Sequence, residues 1–283
     1  MSLFQIPLIR QLQTLGLRLL SMMGIAQSSV TAKSDELRLL PEPEEIIFPS
    51  GKLRLHGFIH KPEGEGPFPA ILFNHGSEHP QSGKLIAKPF ISKGYVVFIP
   101  HRRGQGSSSD QSEYIMDLIH QEPESMRGRK FVELQETHQK DVIAALVYLK
   151  QLPYVDPSRI GMVGSSFGGI QTVLATEKKL GLRGTVAFAP AAMSWAKVPE
   201  LRSRLIQAVQ SATVPILLIQ ARNDYDLSPT KIMAKELKKG DKPHKLLIFP
   251  KFGNTHAEGH GFCVLGEQIW GNEVFSFLES VML

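Results

Sequence analysis

A serine set between glycines, Gly164-Ser165-Ser166-Phe167-Gly168, follows the mostly apolar run Ile160-Gly161-Met162-Val163 and opens a helical pattern from Phe167 to Lys179. Strand, sharp turn, helix is the arrangement in which a Gly-x-Ser-x-Gly motif holds a hydroxyl clear of a sheet, and small flanking residues let strand and helix approach closely. The helix N-terminus then turns free backbone N–H groups and the positive end of its dipole toward that hydroxyl. A serine so placed attacks acyl carbons if a base takes its proton and an acid orients the base. Two carboxylates compete for the acid, Asp224 and Asp226 in Arg222-Asn223-Asp224-Tyr225-Asp226, and two imidazoles for the base, His256 and His260. The i, i+4 spacing of His256 and His260 raises a metal site, but Gly259 and Gly261 flank His260 and argue against a rigid helix presenting both rings. No metal site is expected, and His256 is read as a loop residue at the pocket edge.

The surrounding elements have to bring these residues together. Glu44–Phe48 and Leu53–Lys61 read as a hairpin across Pro49-Ser50-Gly51-Lys52. Ala70–Asn74, Tyr95–Ile99, Gly184–Ala189, Pro215–Gln220 and Lys245–Phe249 read as further strands, several of them unbroken apolar runs of the kind buried on both faces. Helical spacing appears at Gly83–Lys93, Glu136–Lys150, Pro199–Ser211, Pro229–Lys239 and Glu267–Met282, and Asp156-Pro157-Ser158 reads as a turn. This alternation implies an α/β fold with a mostly parallel sheet, helices on both faces and an antiparallel hairpin at its start. In such sheets the chemistry gathers at the carboxyl ends of the strands, where Ser166, Asp224 and His260 all fall. Residues 107–134, polar and containing Pro123 and Gly128, break the rhythm and read as an insertion that forms a lid or pocket wall.

Composition narrows the classes. The 283 residues suit one large domain, and the net charge of +5 is spread along the chain without a dense basic run interleaved with aromatics, so nucleic acid is not an expected partner. The single cysteine, Cys263, excludes an intrachain disulfide and a cysteine zinc site. It fits a reducing, cytoplasmic compartment. Residues 1–30, with Leu8, Leu12, Leu15 and Leu19 on one helical face, read either as an amphipathic helix or as a weak signal peptide, and residues up to 43 as a linker; no run is long enough to span a bilayer.

Five segments together resemble the α/β-hydrolase superfamily, and within it the dienelactone hydrolase-like and prolyl-oligopeptidase-like catalytic domains. They are Asn74-His75-Gly76-Ser77, Arg103-Gly104-Gln105-Gly106-Ser107, Gly164-Ser165-Ser166-Phe167-Gly168, Asn223-Asp224 with Leu227-Ser228-Pro229 behind it, and Gly259-His260-Gly261-Phe262. The resemblance covers roughly residues 44–283. It implies Ser166 as nucleophile, His260 as base and Asp224 as acid, with Asp226 left as a solvated carboxylate. It also implies an oxyanion hole formed by the backbone N–H groups of Phe167 and Ser77. His75, Glu78, Trp195 and His256 are candidate pocket residues; His75 is equally a structural residue behind the oxyanion loop, and Trp195 equally a core aromatic. Arg102 and Arg103 read as structural ion-pair partners, and Arg127, Arg129 and Lys130 as a solvated face. One departure matters: dienelactone hydrolases proper use a cysteine nucleophile, and the elbow here carries Ser166.

The implied activity is hydrolysis of a carboxylic ester or related acyl bond on a small-molecule substrate, without metal, nucleotide or flavin. A short-peptide or acyl-amide peptidase is the alternative, although the propeller domain of prolyl oligopeptidases has no room in 283 residues. A non-catalytic binding module on a hydrolase fold is the second alternative, disfavoured because serine, histidine and acid are all present.

Overall fold

Eight strands form one sheet in the order β1-β2-β4-β3-β5-β6-β7-β8 in the computed structural model, which describes residues 41–77 and 82–282. The N-terminal segment and Glu78 lie outside the described residues. From Pro43 onward the chain forms one compact unit. Strands β1 (Glu44–Ser50) and β2 (Leu53–His60) make the expected hairpin, and β2 runs antiparallel to β4 (Val96–Pro100). From there the sheet is parallel: β3 (Phe68–Asn74), β5 (Val155–Ser165), β6 (Gly184–Phe188), β7 (Ile216–Ala221) and, at the edge, β8 (His244–Phe249).

The burial of the strands explains their composition. Every residue of β4, β6 and β7 is buried, as expected where helices cover both faces. In β1, burial alternates from Ile46 onward because its other face meets water. One apolar core lies between the sheet and helices α1 (Lys84–Ile91) and α9 (Glu267–Met282), with Phe90, Trp270 and Phe275 in mutual ring contact. Apolar clusters on the other side pack the sheet against α3 (Glu124–Lys150), α4 (Phe167–Ala175), α5 (Pro199–Gln210) and α6 (Ser228–Lys239). Among the described residues no helix is long and apolar enough to cross a membrane.

Three local expectations are corrected. The segment 107–134 is helical: a 3-10 turn at Gly106–Gln111, helix α2 at Ile115–Gln121, and the first turns of α3, which starts at Glu124 and not at Glu136. Gly128 lies inside α3, where a Cβ would meet the Glu200 carboxylate of α5, and the helix continues through it because buried Phe131 and Leu134 carry an apolar face toward the core. Asp156-Pro157-Ser158 lies inside β5, where the pairing with β3 is irregular between Phe68 and Ala70. His256–His260 forms a one-turn helix, α7, despite its glycine. Thr255 caps it: the hydroxyl accepts from Glu258 N at 3.2 Å while Glu258 Oε2 accepts from Thr255 N at 2.8 Å, a reciprocal box that satisfies both ends.

Candidate active site

Ser166 sits between β5 and α4 with φ 56° and ψ −114°, a conformation that costs a non-glycine residue about 1–3 kcal/mol and persists only where its surroundings enforce it. The surroundings here are two close crossings. A Cβ on Gly164 would run into the Gly168 carbonyl, and one on Gly168 would run into the backbone of Asn74 and stand 2.6 Å from the His75 oxygen. Only hydrogen fits at these positions, so β3, β5 and α4 meet backbone to backbone. Ser166 N donates to Phe188 O at 3.0 Å, and Ile170 N to Ser166 O at 3.0 Å.

The loops after β7 and β8 complete the arrangement. His260 Nε2 lies 3.0 Å from Ser166 Oγ, and Nδ1 lies 2.8 Å from Asp224 Oδ1. The Asp224 side chain is fully buried and the His260 ring is 17% exposed. Asp224 also accepts from Gln220 Nε2 on Oδ2 at 2.7 Å and from Tyr225 N on Oδ1 at 2.7 Å. Asn223 ties this loop to the next one, donating to Phe252 O and Thr255 O and accepting from Phe252 N. Gly259 crosses Asn223 so closely that a Cβ there would lie 2.8 Å from its carbonyl. The Tyr225 ring stands edge-on to His260 at 5.4 Å and stacks on His256 at 5.8 Å.

The competing residues are elsewhere engaged. Asp226 accepts from Ser228 N at the start of α6. His256 Nδ1 lies 3.0 Å from Asn223 O, on the exposed side of Tyr225. Among the described residues no group of three or more His, Cys, Asp or Glu side chains is placed to hold a metal ion.

Ser77 and Phe167 line, with Ser166, a cleft of about 760 Å³. Neither backbone N–H donates to a backbone acceptor among the described residues. Gln105 Nε2 and Tyr114 Oη both donate to Ser77 O, at 3.1 and 2.8 Å, which fixes that peptide while leaving its neighbouring N–H available. Behind it Arg102 is buried and donates to Gly76 O at 2.6 Å, and Arg103 clamps Asp141 through two hydrogen bonds of 2.9 and 2.6 Å. Both arginines therefore face inward. His75 is buried there too, its Nδ1 3.0 Å from Gly76 O. Burial, with Arg102 beside it, holds its pKa well below 6.5, so it is neutral.

Trp195 is 2% exposed and packs in the core among α3, α4 and α5 instead of lining the cleft, because the turn at Ala191 (φ 59°) carries it inward. The cleft takes Met193 and Ser194 from the same stretch. It is also lined by Met116, Phe131, Arg127, Lys197 and Glu200, which no motif marks. Their placement depends on α2, α3 and α5 meeting over the elbow.

A family model described as the dienelactone hydrolase family matches residues 55–269. The chain belongs to this family. Curated relatives include the quorum-quenching protein AidA of Acinetobacter baumannii, 26% identical over 47% of this chain and 39% of its own length. The esterase FrsA of an Enterobacter species is 30% identical over 46% of this chain and 27% of its own. The uncharacterized peptidase YtmA of Bacillus subtilis is 24% identical over 78% of this chain and 91% of its own. The match thus spans well under half of the first two of these relatives. Among solved structures, an acylaminoacyl peptidase of Pyrococcus horikoshii superposes with a TM-score of 0.66 at 21% identity, over 86% of this chain and 42% of its own. The Pyrococcus furiosus esterase Pf2001 does so at 0.62 and 17%, over 88% and 93%. The sheet order and these neighbours make this dienelactone hydrolase family member an α/β-hydrolase fold, and its relatives include an esterase and a peptidase.

Proposed function

We propose that the protein is a serine hydrolase that cleaves a carboxylic ester through an acyl-enzyme. The observation that carries this reading is the unbroken relay from Ser166 Oγ through both nitrogens of His260 to Asp224, at 3.0 and 2.8 Å. His260 takes the serine proton as Oγ attacks the acyl carbon, then gives it to the departing alcohol oxygen. Asp224, anchored by Gln220 and Tyr225, keeps the Nδ1 proton on its side of the ring and stabilises the imidazolium. The N–H groups of Phe167 and Ser77 receive the oxyanion, each worth roughly 3–4 kcal/mol of barrier. Water, activated by the same imidazole, then releases the acid.

Amide cleavage is the second reading, favoured by the match to YtmA over 91% of that peptidase. Intact mass after exposure to a fluorophosphonate, on the native protein and on Ser166→Ala, tests the shared step. A single adduct is expected on the native protein alone. No adduct on folded native protein refutes both readings. Comparing a p-nitrophenyl ester with an aminoacyl anilide then separates them, and faster turnover of the anilide would overturn the ester assignment.

A further inference from the structure

The space around Ser166 is divided in two, and the two parts differ fourfold in size. The cleft of about 760 Å³ is lined by Ser77, Ser166 and Phe167 but not by His260. A second pocket of about 190 Å³ also reaches Ser77 and Ser166, and it is lined by His260, Phe73, Ile86 and Val264. Met193, 56% exposed, lines both and stands between them.

Resting on the ester-hydrolase reading above, we infer that the large cleft takes the acyl group and the small pocket the alcohol. The substrates are then esters of a bulky, largely apolar acid with a short alcohol. The argument is one of proton delivery. His260 must protonate the alcohol oxygen as the C–O bond breaks, so that oxygen sits within hydrogen-bond reach of Nε2. Whatever is attached to it extends into the pocket that His260 lines. The acyl carbon's other substituent diverges from the alcohol oxygen at the tetrahedral centre, and so runs into the cleft that Ser166 and Phe167 line and His260 does not.

The two volumes then set the sizes. About 760 Å³ lies within the range of sites that enclose a drug-sized molecule, and about 190 Å³ lies below it. Beside the polar groups of the reacting centre, the small pocket is walled by the apolar Phe73, Ile86, Met193 and Val264 and by Gly76 and Gly261, a surface that covers a few carbons and no more. The floor of the large cleft is apolar, with Phe131 edge-on to Phe167 at 5.4 Å and Ile119 beside them. Its charged side chains are Glu124 and Arg127 from α3, Glu200 from α5 and Lys197 from the turn before α5, and they leave a polar end on the acid tolerable.

Constitutional isomers provide the test, because they hold total hydrophobicity constant. Methyl octanoate places the chain on the acyl side and heptyl acetate on the alcohol side. Each methylene that finds the apolar cleft is worth roughly fourfold, so kcat/KM for methyl octanoate should exceed that for heptyl acetate by at least tenfold. Met116→Trp, which fills the large cleft, should lower that ratio, and Val264→Trp, which fills the small pocket, should raise it. Fluorophosphonate labelling of Ser166 is measured on the same samples. With labelling intact, equal turnover or a preference for heptyl acetate overturns the pocket assignment and leaves the serine-hydrolase reading standing. With labelling absent and neither ester cleaved, the hydrolase reading fails and takes this inference with it.

Discussion

Gly168→Ala probes the elbow with a single methyl group. The added Cβ would overlap the Asn74 carbonyl and stand 2.6 Å from the His75 oxygen, where ordinary contacts begin at 3.4 Å. All the opposing atoms are backbone, so no side chain can swing aside. Helix α4 and the loop after β3 must separate by on the order of 1 Å, and these two elements carry the two proposed oxyanion donors, Phe167 N and Ser77 N. Overpacking of this kind costs about 1–3 kcal/mol of stability, roughly 2–6 °C in Tm at this chain length. Widening the hole forfeits most of one donor, so kcat should fall about 10²–10³-fold. The relay to His260 is displaced far less, and stoichiometric labelling by a fluorophosphonate should still reach completion, only more slowly. The assays are turnover of a p-nitrophenyl ester, thermal unfolding and the labelling time course on one preparation. Native kcat in a folded Gly168→Ala protein would refute the placement of the oxyanion hole between these two elements.

Two further outcomes follow from the geometry. Asp224→Asn should lower kcat by about 10⁴, whereas Asp226→Asn, at a side chain that accepts from Ser228 N and not from His260, should change it less than threefold; ester hydrolysis by both variants decides the acid. Burial first and neighbouring Arg102 second hold the pKa values of His75 and His138 well below 6.5, so the unfolded chain binds protons that the folded chain refuses. Stability should therefore be full above pH 6.5 and fall as the pH drops below it, by up to about 1.4 kcal/mol per pH unit for each histidine, and denaturant unfolding of His138→Gln should show the shallower slope.

The elbow was legible because its determinants are local: glycines at fixed offsets, an apolar run before them and helical periodicity after. The sheet was legible for a related reason, since strands buried on both faces spell continuous apolar runs. What escaped notice depends on partners far away in the chain. Gly128 sits inside α3 with Glu200, from another helix, in the space beside it, and no window around residue 128 contains that fact. Trp195 could be core or pocket until the turn at Ala191 fixed its direction. The helix at His256–His260 is a different case. Thr255-His256-Ala257-Glu258 carries a capping box in plain view, a start signal that was overlooked beside Gly259 and Gly261. Those glycines do not oppose the helix. Gly259 is there to let it cross Asn223.

The three proposed catalytic side chains do not all hang from neighbouring strands: β6 stands between the strand that carries Ser166 and the pair that carries Asp224 and His260. Ser166 follows the central β5, Asp224 follows β7, and His260 follows β8, which closes one edge of the sheet and pairs on one side alone. Ser166 and His260 meet across 94 residues of chain. A molecule in which the middle of the sheet is complete but β8 has not docked would hold a strained serine and an oxyanion hole with no base to switch them on. On the proposed mechanism, whatever order the strands assemble in, Ser166 becomes a nucleophile only when the rim is in place, so the edge strand acts as a safety catch on the reacting centre.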